Sequence, residues 1–153
     1  MQPKQMYSIA LRIRARSRDD STKVGCAIFN EQGNFLISRP NAFPNAVSMT
    51  PDRVVRPDKY DWVVHAETNA IAAAARRGFC LDEGSIWSTQ IPCSTCMGII
   101  IQAGIQLVVC PPFHNLADKW KDNASVSLKM ASEAGVRVYY WEEKLETFSH
   151  LSR

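Results

Sequence analysis

The sequence contains no long apolar run. Although 46% of its 153 residues are hydrophobic, no stretch approaches the ~18 consecutive apolar residues that a membrane-spanning helix requires. The first eight residues are too polar to form the apolar centre of a signal peptide. We therefore expect a cytoplasmic protein without a membrane partner.

Charge of one sign is also scarce. The formal net charge is +3, and most of it comes from Arg12, Arg14, Arg16, Arg18 and Lys23. This balance favours a phosphate-bearing ligand only weakly, and for the first three of these arginines we favour a solvated helix face. No basic stripe with interleaved aromatic residues is present, so we do not expect a nucleic-acid partner.

Cysteine is too sparse for a disulfide framework in a chain that is not secreted. Two of the five cysteines, Cys93 and Cys96, have the C-x-x-C spacing that suits a metal ion. Cys26, Cys80 and Cys110 lie in or beside apolar segments, and we interpret them as small buried hydrophobic side chains.

The chain has no internal repeat, low-complexity tract or linker, which predicts a single domain over 1–153. Apolar patterning and turn residues predict helices in 1–16, 64–77, 94–103 and 124–134, and strands at 24–30, 34–38, 85–89, 107–110 and 136–141. Helices that alternate with short strands after an opening hairpin predict an α/β fold, a three-layer α/β/α sandwich around a mixed five-stranded sheet.

Three connecting segments have distinct expected roles. Gly33 takes the strained turn position of the opening hairpin. The proline-containing polar stretch before position 64 is expected to be a loop that covers a site. The tail from Glu142 to Arg153 is expected to be a short helix or disordered.

The segment "VVHAETNAI" (63–71) places His65 and Glu67 two residues apart. In the interior of a helix such a pair points about 200° apart, so a local feature must hold both side chains. His65 lies at one predicted helix start, and Cys93 and Cys96 lie at another. One imidazole and two thiolates are a ligand set that selects Zn²⁺, and three protein ligands leave the open position of a catalytic zinc site.

Glu67 is then placed to take a proton from a metal-polarised water and to return it. Two simpler interpretations stay open, a structural zinc with a further ligand elsewhere and a coincidental cysteine pair. The full H-x-E…P-C-x-x-C arrangement, with Pro92 before the first cysteine, is the signature of the zinc deaminases.

Most of the chain, from about Tyr7 to Trp141, resembles the deoxycytidylate (dCMP) deaminases. The matching segments are "RSRDDSTKVGCAIFN" (16–30), "PNAFPNAV" (40–47), "RPDKYDWVVHAETNAI" (56–71), "PCSTC" (92–96) and "IIQAGIQLVV" (100–109). The resemblance implies hydrolytic deamination of dCMP to dUMP and ammonia, which feeds thymidylate synthesis. It also implies a homo-oligomer, a hexamer or a dimer.

The resemblance also assigns roles to residues. Zn²⁺ would be bound by His65, Cys93 and Cys96, a zinc-bound hydroxide would attack C4 of the base, and Glu67 would be the proton shuttle. The Ala66 N–H would hold the base carbonyl, and Asn41 would contact sugar and base. Our candidates for the phosphate are Ser17, Arg18 and Lys23.

The chain departs from the family where Gly-Tyr-Asn-Gly is common and Arg39-Pro40-Asn41-Ala42 stands instead. Pro40 fixes φ, and Ala42 does not readily adopt φ > 0, so we expect a stiffer loop without the family's regulation by dCTP and dTTP. Alternatives are another cytosine or adenine substrate (a modified dCMP, or a tRNA adenosine) and a non-catalytic zinc-stabilised binding module.

Overall fold

The computed structural model of the chain describes residues 1–142 and, for the backbone alone, 147–150. The helices are α1 (Pro3–Arg14), α2 (Lys59–Trp62), α3 (Ala66–Arg76), α4 (Ser94–Gln102) and α5 (Asp118–Glu133). The strands are β1 (Gly25–Phe29), β2 (Phe35–Pro40), β3 (Ser85–Ser88), β4 (Leu107–Cys110), β5 (Arg137–Glu142) and β6 (Thr147–His150).

All six strands form one mixed sheet in the order β2-β1-β3-β4-β5-β6. β1 pairs antiparallel with both β2 and β3, whereas β3, β4 and β5 run parallel because a helix crosses back between each pair. The predicted mixed sheet with its five strands is confirmed. The structure adds a sixth, β6, antiparallel to β5.

This sixth strand corrects the expectation for the tail. Glu142 ends β5, and the backbone of Thr147–His150 pairs along the outer edge of that strand. A short helix or disorder is therefore wrong for those four residues, because an open strand edge offers unpaired backbone groups that the tail satisfies. Residues 143–146 and 151–153 lie outside the described residues.

Helices cover both faces of the sheet. In β1, successive side chains alternate: Cys26 and Ile28 pack with the alanines of α3, whereas Ala27 and Phe29 pack with Met6, Tyr7 and Ala10 of α1. Helices α4 and α5 pack on the α3 side. The predicted three-layer arrangement is confirmed, and α1 is the helix that the described residues place on the second face.

Several element boundaries differ from the prediction. Helix α3 begins at Ala66, because Val64 pairs instead with Ala42 in an isolated bridge. Helix α5 begins at Asp118, six residues before the expected start, since its first turns are largely polar and show no apolar period. Gly33 has a φ of +75°, as the predicted hairpin turn requires. No helix in the described part of the chain combines the length and apolarity of a membrane span.

Candidate active site and metal centre

The two predicted metal-binding segments meet at the beginnings of two neighbouring helices. His65 is the N-cap residue of α3 and Cys93 is the N-cap residue of α4, each with an extended backbone. Cys96 lies one turn further along α4 and is buried. Inside a helix, the side chains of His65 and Glu67 would point in nearly opposite directions. This does not apply here, because His65 precedes α3 and Glu67 lies within it.

The donor atoms of these residues are close enough for one metal ion. His65 Nδ1 lies 3.4 Å from Cys93 Sγ and 3.4 Å from Cys96 Sγ, and the three donor atoms lie within 4.8 Å of one another. Tetrahedral bonds of about 2.0 Å to nitrogen and 2.3 Å to sulfur require donor separations of about 3.5 Å, so the set fits Zn²⁺. No fourth His, Cys, Asp or Glu joins this group among residues 1–142, which leaves one coordination position open.

A hydrogen bond between the two thiols makes one of them more acidic and the other less acidic. The Cys96 thiol donates a hydrogen bond to Cys93, which lowers the pKa of Cys93 to about 4 and raises the pKa of Cys96. The hydrogen bond between His65 and Cys93 raises the pKa of His65. Burial of the imidazole acts in the opposite direction but is the smaller effect. A thiolate available at neutral pH is what binding of a soft divalent metal requires.

Glu67 is the buried acid beside this centre. Its side chain is only 3% exposed, and its Oε1 accepts a 2.6 Å hydrogen bond from the Ser88 hydroxyl at the end of β3. Burial raises the pKa of Glu67, and the Ser88 hydrogen bond partly opposes this. A carboxyl group with a raised pKa can both accept and donate a proton near neutral pH.

Helix α5 holds the backbone on both sides of Cys93. Asn123 Oδ1 accepts a 2.8 Å hydrogen bond from the Ser94 N–H, and Asn123 Nδ2 donates to Ser94 Oγ at 2.9 Å. Ser127, one turn later on α5, donates a 2.7 Å hydrogen bond to the Pro92 carbonyl. These contacts fix the turn that presents Cys93.

The metal centre opens into one pocket, which we call the central pocket. Its walls include Thr22, Asn41, Lys59, Tyr60, Glu67 and Trp120, together with His65 and Cys93. Segments that are far apart in sequence therefore meet around a single cavity.

Asn41 organises one wall of the central pocket. It is 5% exposed, and its Oδ1 accepts hydrogen bonds from Ser17 Oγ at 2.8 Å and from the Val24 N–H at 2.9 Å. Its Nδ2 donates to the Thr22 carbonyl at 2.9 Å. The amide thus ties the turn between α1 and β1 to the end of β2.

An ion pair between the buried Lys59 and the partly buried Asp19 supports the same turn. Lys59 Nζ lies 2.8 Å from Asp19 Oδ2 and 3.0 Å from Oδ1, and it also contacts the Ser21 hydroxyl. Asp19 accepts the backbone N–H groups of Ser21 and Thr22. Burial opposes ionisation of Asp19, but the hydrogen bonds from Lys59, Ser21 and Thr22 outweigh it and hold the pKa of Asp19 below its ordinary value.

The structure separates the other predicted contacts. Ala66 lines the central pocket and is the first residue of α3, whose N–H has no intrahelical acceptor by position. Ser17 is buried and its hydroxyl serves Asn41. Among the described residues that line the central pocket, neither Arg18 nor Lys23 is found. Arg18 lines an adjacent cavity instead. Their phosphate role stays a prediction.

Other outcomes concern single residues. Cys26 and Cys110 are buried as predicted, but Cys80 is exposed because it lies in the turn that follows α3. Sequence reasoning missed Ser88 and Lys59. A serine at the end of a strand that leads to the cysteine motif is a usable signal for Ser88, whereas no local pattern marks Lys59.

Comparisons with known proteins agree with this site. Residues 1–111 match the family described as the cytidine and deoxycytidylate deaminase zinc-binding region. The chain is 36% identical over 136 residues to an uncharacterized deaminase from the luxG 3′ region of Aliivibrio fischeri, covering 88% of this chain and 90% of the relative. It is 30% identical over 142 residues to the deoxycytidylate deaminase of Homo sapiens, covering 88% and 76%.

A solved structure shares the fold. The dCMP deaminase of the cyanophage S-TIM5 superposes with a TM-score of 0.71 at 24% identity, covering 90% of this chain and 98% of that one. The family match spans the metal ligands, and the two relatives extend over most of the chain. The chain belongs to the cytidine and deoxycytidylate deaminase family.

Proposed function

We propose that the protein is a hydrolytic deaminase that converts dCMP and water to dUMP and ammonia. The observation that carries this proposal is the buried Glu67 carboxyl in the same pocket as the His65, Cys93 and Cys96 donor set. Relatives named deoxycytidylate deaminase support the choice of substrate. The dUMP formed would supply thymidylate synthesis.

His65, Cys93 and Cys96 would hold the zinc ion. When bound there, zinc supplies Lewis acidity that makes water a nucleophile near neutral pH. The two thiolates balance the charge of the divalent ion. The hydrogen bonds of Asn123 and Ser127 on α5 to Ser94 and Pro92 keep Cys93 in position.

Glu67 carries the protons. It takes one proton from the water that attacks C4 of the cytosine and delivers it to N3. It then transfers the remaining proton of the hydroxyl group added at C4 to the departing amino group. The C4–N bond breaks as the C4 carbonyl forms, so ammonia leaves and uracil remains. Ser88 orients Glu67 for this exchange by donating to Oε1, which leaves the second carboxylate oxygen for the substrate side.

The base is oriented by the beginning of α3. The Ala66 N–H donates to the base carbonyl, which the positive end of the helix dipole favours. The Asn41 amide is held in place by hydrogen bonds with Ser17, Val24 and Thr22. It therefore contacts the sugar and base as a fixed part of the pocket wall.

Family membership also supports self-association into a dimer or a hexamer. Light scattering of the purified protein measures the molar mass and thereby the number of chains in the assembly.

A substrate panel tests the proposed activity. Purified zinc-containing protein is incubated with dCMP, dCTP, cytidine, 5-methyl-dCMP and a tRNA anticodon hairpin, and product bases are quantified. We expect dCMP to be deaminated with the highest kcat/KM. Turnover of the hairpin alone would overturn the mononucleotide assignment, and turnover of none of them would support a binding module.

A further inference from the structure

The mouth of the central pocket is edged by two aromatic rings from different elements. Among the described residues, Tyr60 of α2 and Trp120 of α5 are the two aromatic residues, apart from His65, that line this pocket. Their ring centroids are 6.5 Å apart and the ring planes are inclined by 79°. Tyr60 is 48% exposed, so its ring lies where the pocket meets solvent, which we call the entrance.

Each ring carries a cation. The Arg56 guanidinium lies 5.8 Å from the Tyr60 centroid, and its Nη2 donates a 3.1 Å hydrogen bond to Thr22 Oγ1, which also lines the pocket. The Lys119 ammonium lies 5.1 Å from the Trp120 centroid. Neither cation forms an ion pair with a carboxylate of residues 1–142.

The interior of the pocket offers no spare positive charge. Lys59 is bound by both oxygens of Asp19, so its charge is already balanced. Close to the metal centre, the Glu67 carboxylate and the Cys93 thiolate would repel an anion. A phosphate with nearly two negative charges is therefore favoured beside Arg56 and Lys119. These two residues do not line the pocket themselves, but they contact its lining residues Thr22, Tyr60 and Trp120.

We propose that Arg56 and Lys119 form a subsite for the 5′-phosphate of a pyrimidine nucleoside monophosphate, with Tyr60 and Trp120 packing against its pentose. This inference rests on the proposed deaminase function and names the part of the chain that selects a nucleotide over a nucleoside. The planar guanidinium of Arg56 supplies paired donors, and Lys119 supplies a mobile point charge. Thr22 and Tyr60 hold the guanidinium at the entrance.

Steady-state kinetics of the full chain with dCMP and with deoxycytidine test the subsite. We expect the double variant Arg56→Gln, Lys119→Gln to lose about tenfold to a hundredfold in kcat/KM for dCMP, the equivalent of one or two lost hydrogen bonds to a charged group. Its kcat/KM for deoxycytidine, which has no 5′-phosphate, should fall by a much smaller factor, so the preference for dCMP over deoxycytidine should decrease. Arg56→Lys should recover part of the loss.

Arg53→Gln is the matched control. Arg53 also stacks on an exposed aromatic ring, 4.0 Å from the Trp62 centroid, but Trp62 does not line the central pocket. This variant should keep the wild-type preference for dCMP over deoxycytidine. A third variant, Arg18→Gln with Lys23→Gln, tests the two cations that the sequence suggested for the phosphate. It should also keep the wild-type preference for dCMP.

The outcomes separate the subsite from the activity. If wild-type protein deaminates dCMP and the Arg56, Lys119 variant keeps the same dCMP preference, the subsite is wrong and the activity stands. A preference lost only in the Arg18, Lys23 variant also overturns it. If the Arg56, Lys119 variant loses more kcat/KM with an oligodeoxycytidylate than with dCMP, these cations bind a polymer. That result would contradict the mononucleotide subsite. If wild-type protein deaminates neither compound, the proposed function fails and the subsite with it.

Discussion

At the scale of single residues, the environment of Glu67 sets its chemistry. Burial raises its pKa, while hydrogen bonds from the Ser88 hydroxyl and from the backbone of Glu67 itself partly oppose this. The side chain is thus held in one orientation without being locked in its ionised form. Such a group suits a proton carrier, which must exist in both states during one turnover.

Replacing Ser88 should therefore impair turnover more than binding. We expect Ser88→Ala to lower kcat by about tenfold, the effect of losing one hydrogen bond to a charged group, with little change in KM. Steady-state kinetics with dCMP measure both quantities. Ser85→Ala is the control, because Ser85 is also buried on β3 but pairs with Trp87. An equal loss of kcat in both variants would contradict a specific role for Ser88.

The Asp19–Lys59 pair predicts how stability depends on pH. The pKa of Asp19 in the folded protein lies below its ordinary 3.8, so the ionised group stabilises the fold fully above pH 3.8. That contribution is lost as pH falls through the folded-state pKa. We expect Asp19→Asn to reduce the free energy of unfolding by about 1 to 3 kcal/mol at pH 7, and the difference to shrink below pH 4.

Urea denaturation of both proteins across pH 3 to 7 measures this difference. The neighbouring Asp20 is exposed, so Asp20→Asn serves as the control and should differ little from wild type at any pH. A deficit of Asp19→Asn that grows as the pH falls has the opposite sign and would count against the ion pair.

At the scale of helices and strands, α5 positions the cysteine turn. Asn123 and Ser127 contact the backbone on either side of Cys93, so the start of α4 depends on a helix that provides no metal ligand. We expect Asn123→Ala to weaken zinc binding by about tenfold, as the loss of an outer-shell partner typically does. Competition with a chromogenic chelator measures the affinity.

Asp122→Ala provides the matched control on the same exposed turn of α5. Asn123→Asp should restore part of the affinity, since a carboxylate still accepts from the Ser94 N–H. Unchanged zinc affinity in Asn123→Ala would show that α4 holds its own first turn.

The same elements show what sequence patterns can and cannot predict. Strands such as 107–110 and the hairpin at Gly33 are marked by local apolar runs and turn residues, and they appear where predicted. The start of α5 and the short helix α2 have no apolar period, and β6 depends on the free edge of β5. Tertiary packing decides these elements, so propensity alone misses them.

The site divides in the same way. His65, Cys93 and Cys96 carry a chemical signature in their residue types and spacing, and the structure brings them together. Lys59 instead acts through Asp19, which is 40 residues away in sequence. Its role depends on the meeting of two loops, which no local spacing encodes.

At the scale of the whole molecule, the loop after β2 bears on regulation. Pro40 ends β2, and its carbonyl accepts a 2.9 Å hydrogen bond from Asn69 Nδ2 on α3. A proline with fixed φ that is tied to the helix of Glu67 leaves little freedom for a regulatory movement. We expect dCTP and dTTP at millimolar concentration to leave the dCMP saturation curve hyperbolic and unchanged. A sigmoidal curve that dCTP makes hyperbolic would contradict this expectation.

The most direct test of the account compares wild-type protein and Glu67→Gln for zinc content and for dUMP formed from dCMP on the same samples. We predict about one zinc ion per chain in both proteins, with dUMP formation falling at least a thousandfold in the variant, within the range expected for removal of a general acid–base group. Unchanged dUMP formation by the zinc-loaded variant, or active wild-type protein free of zinc, would contradict the account.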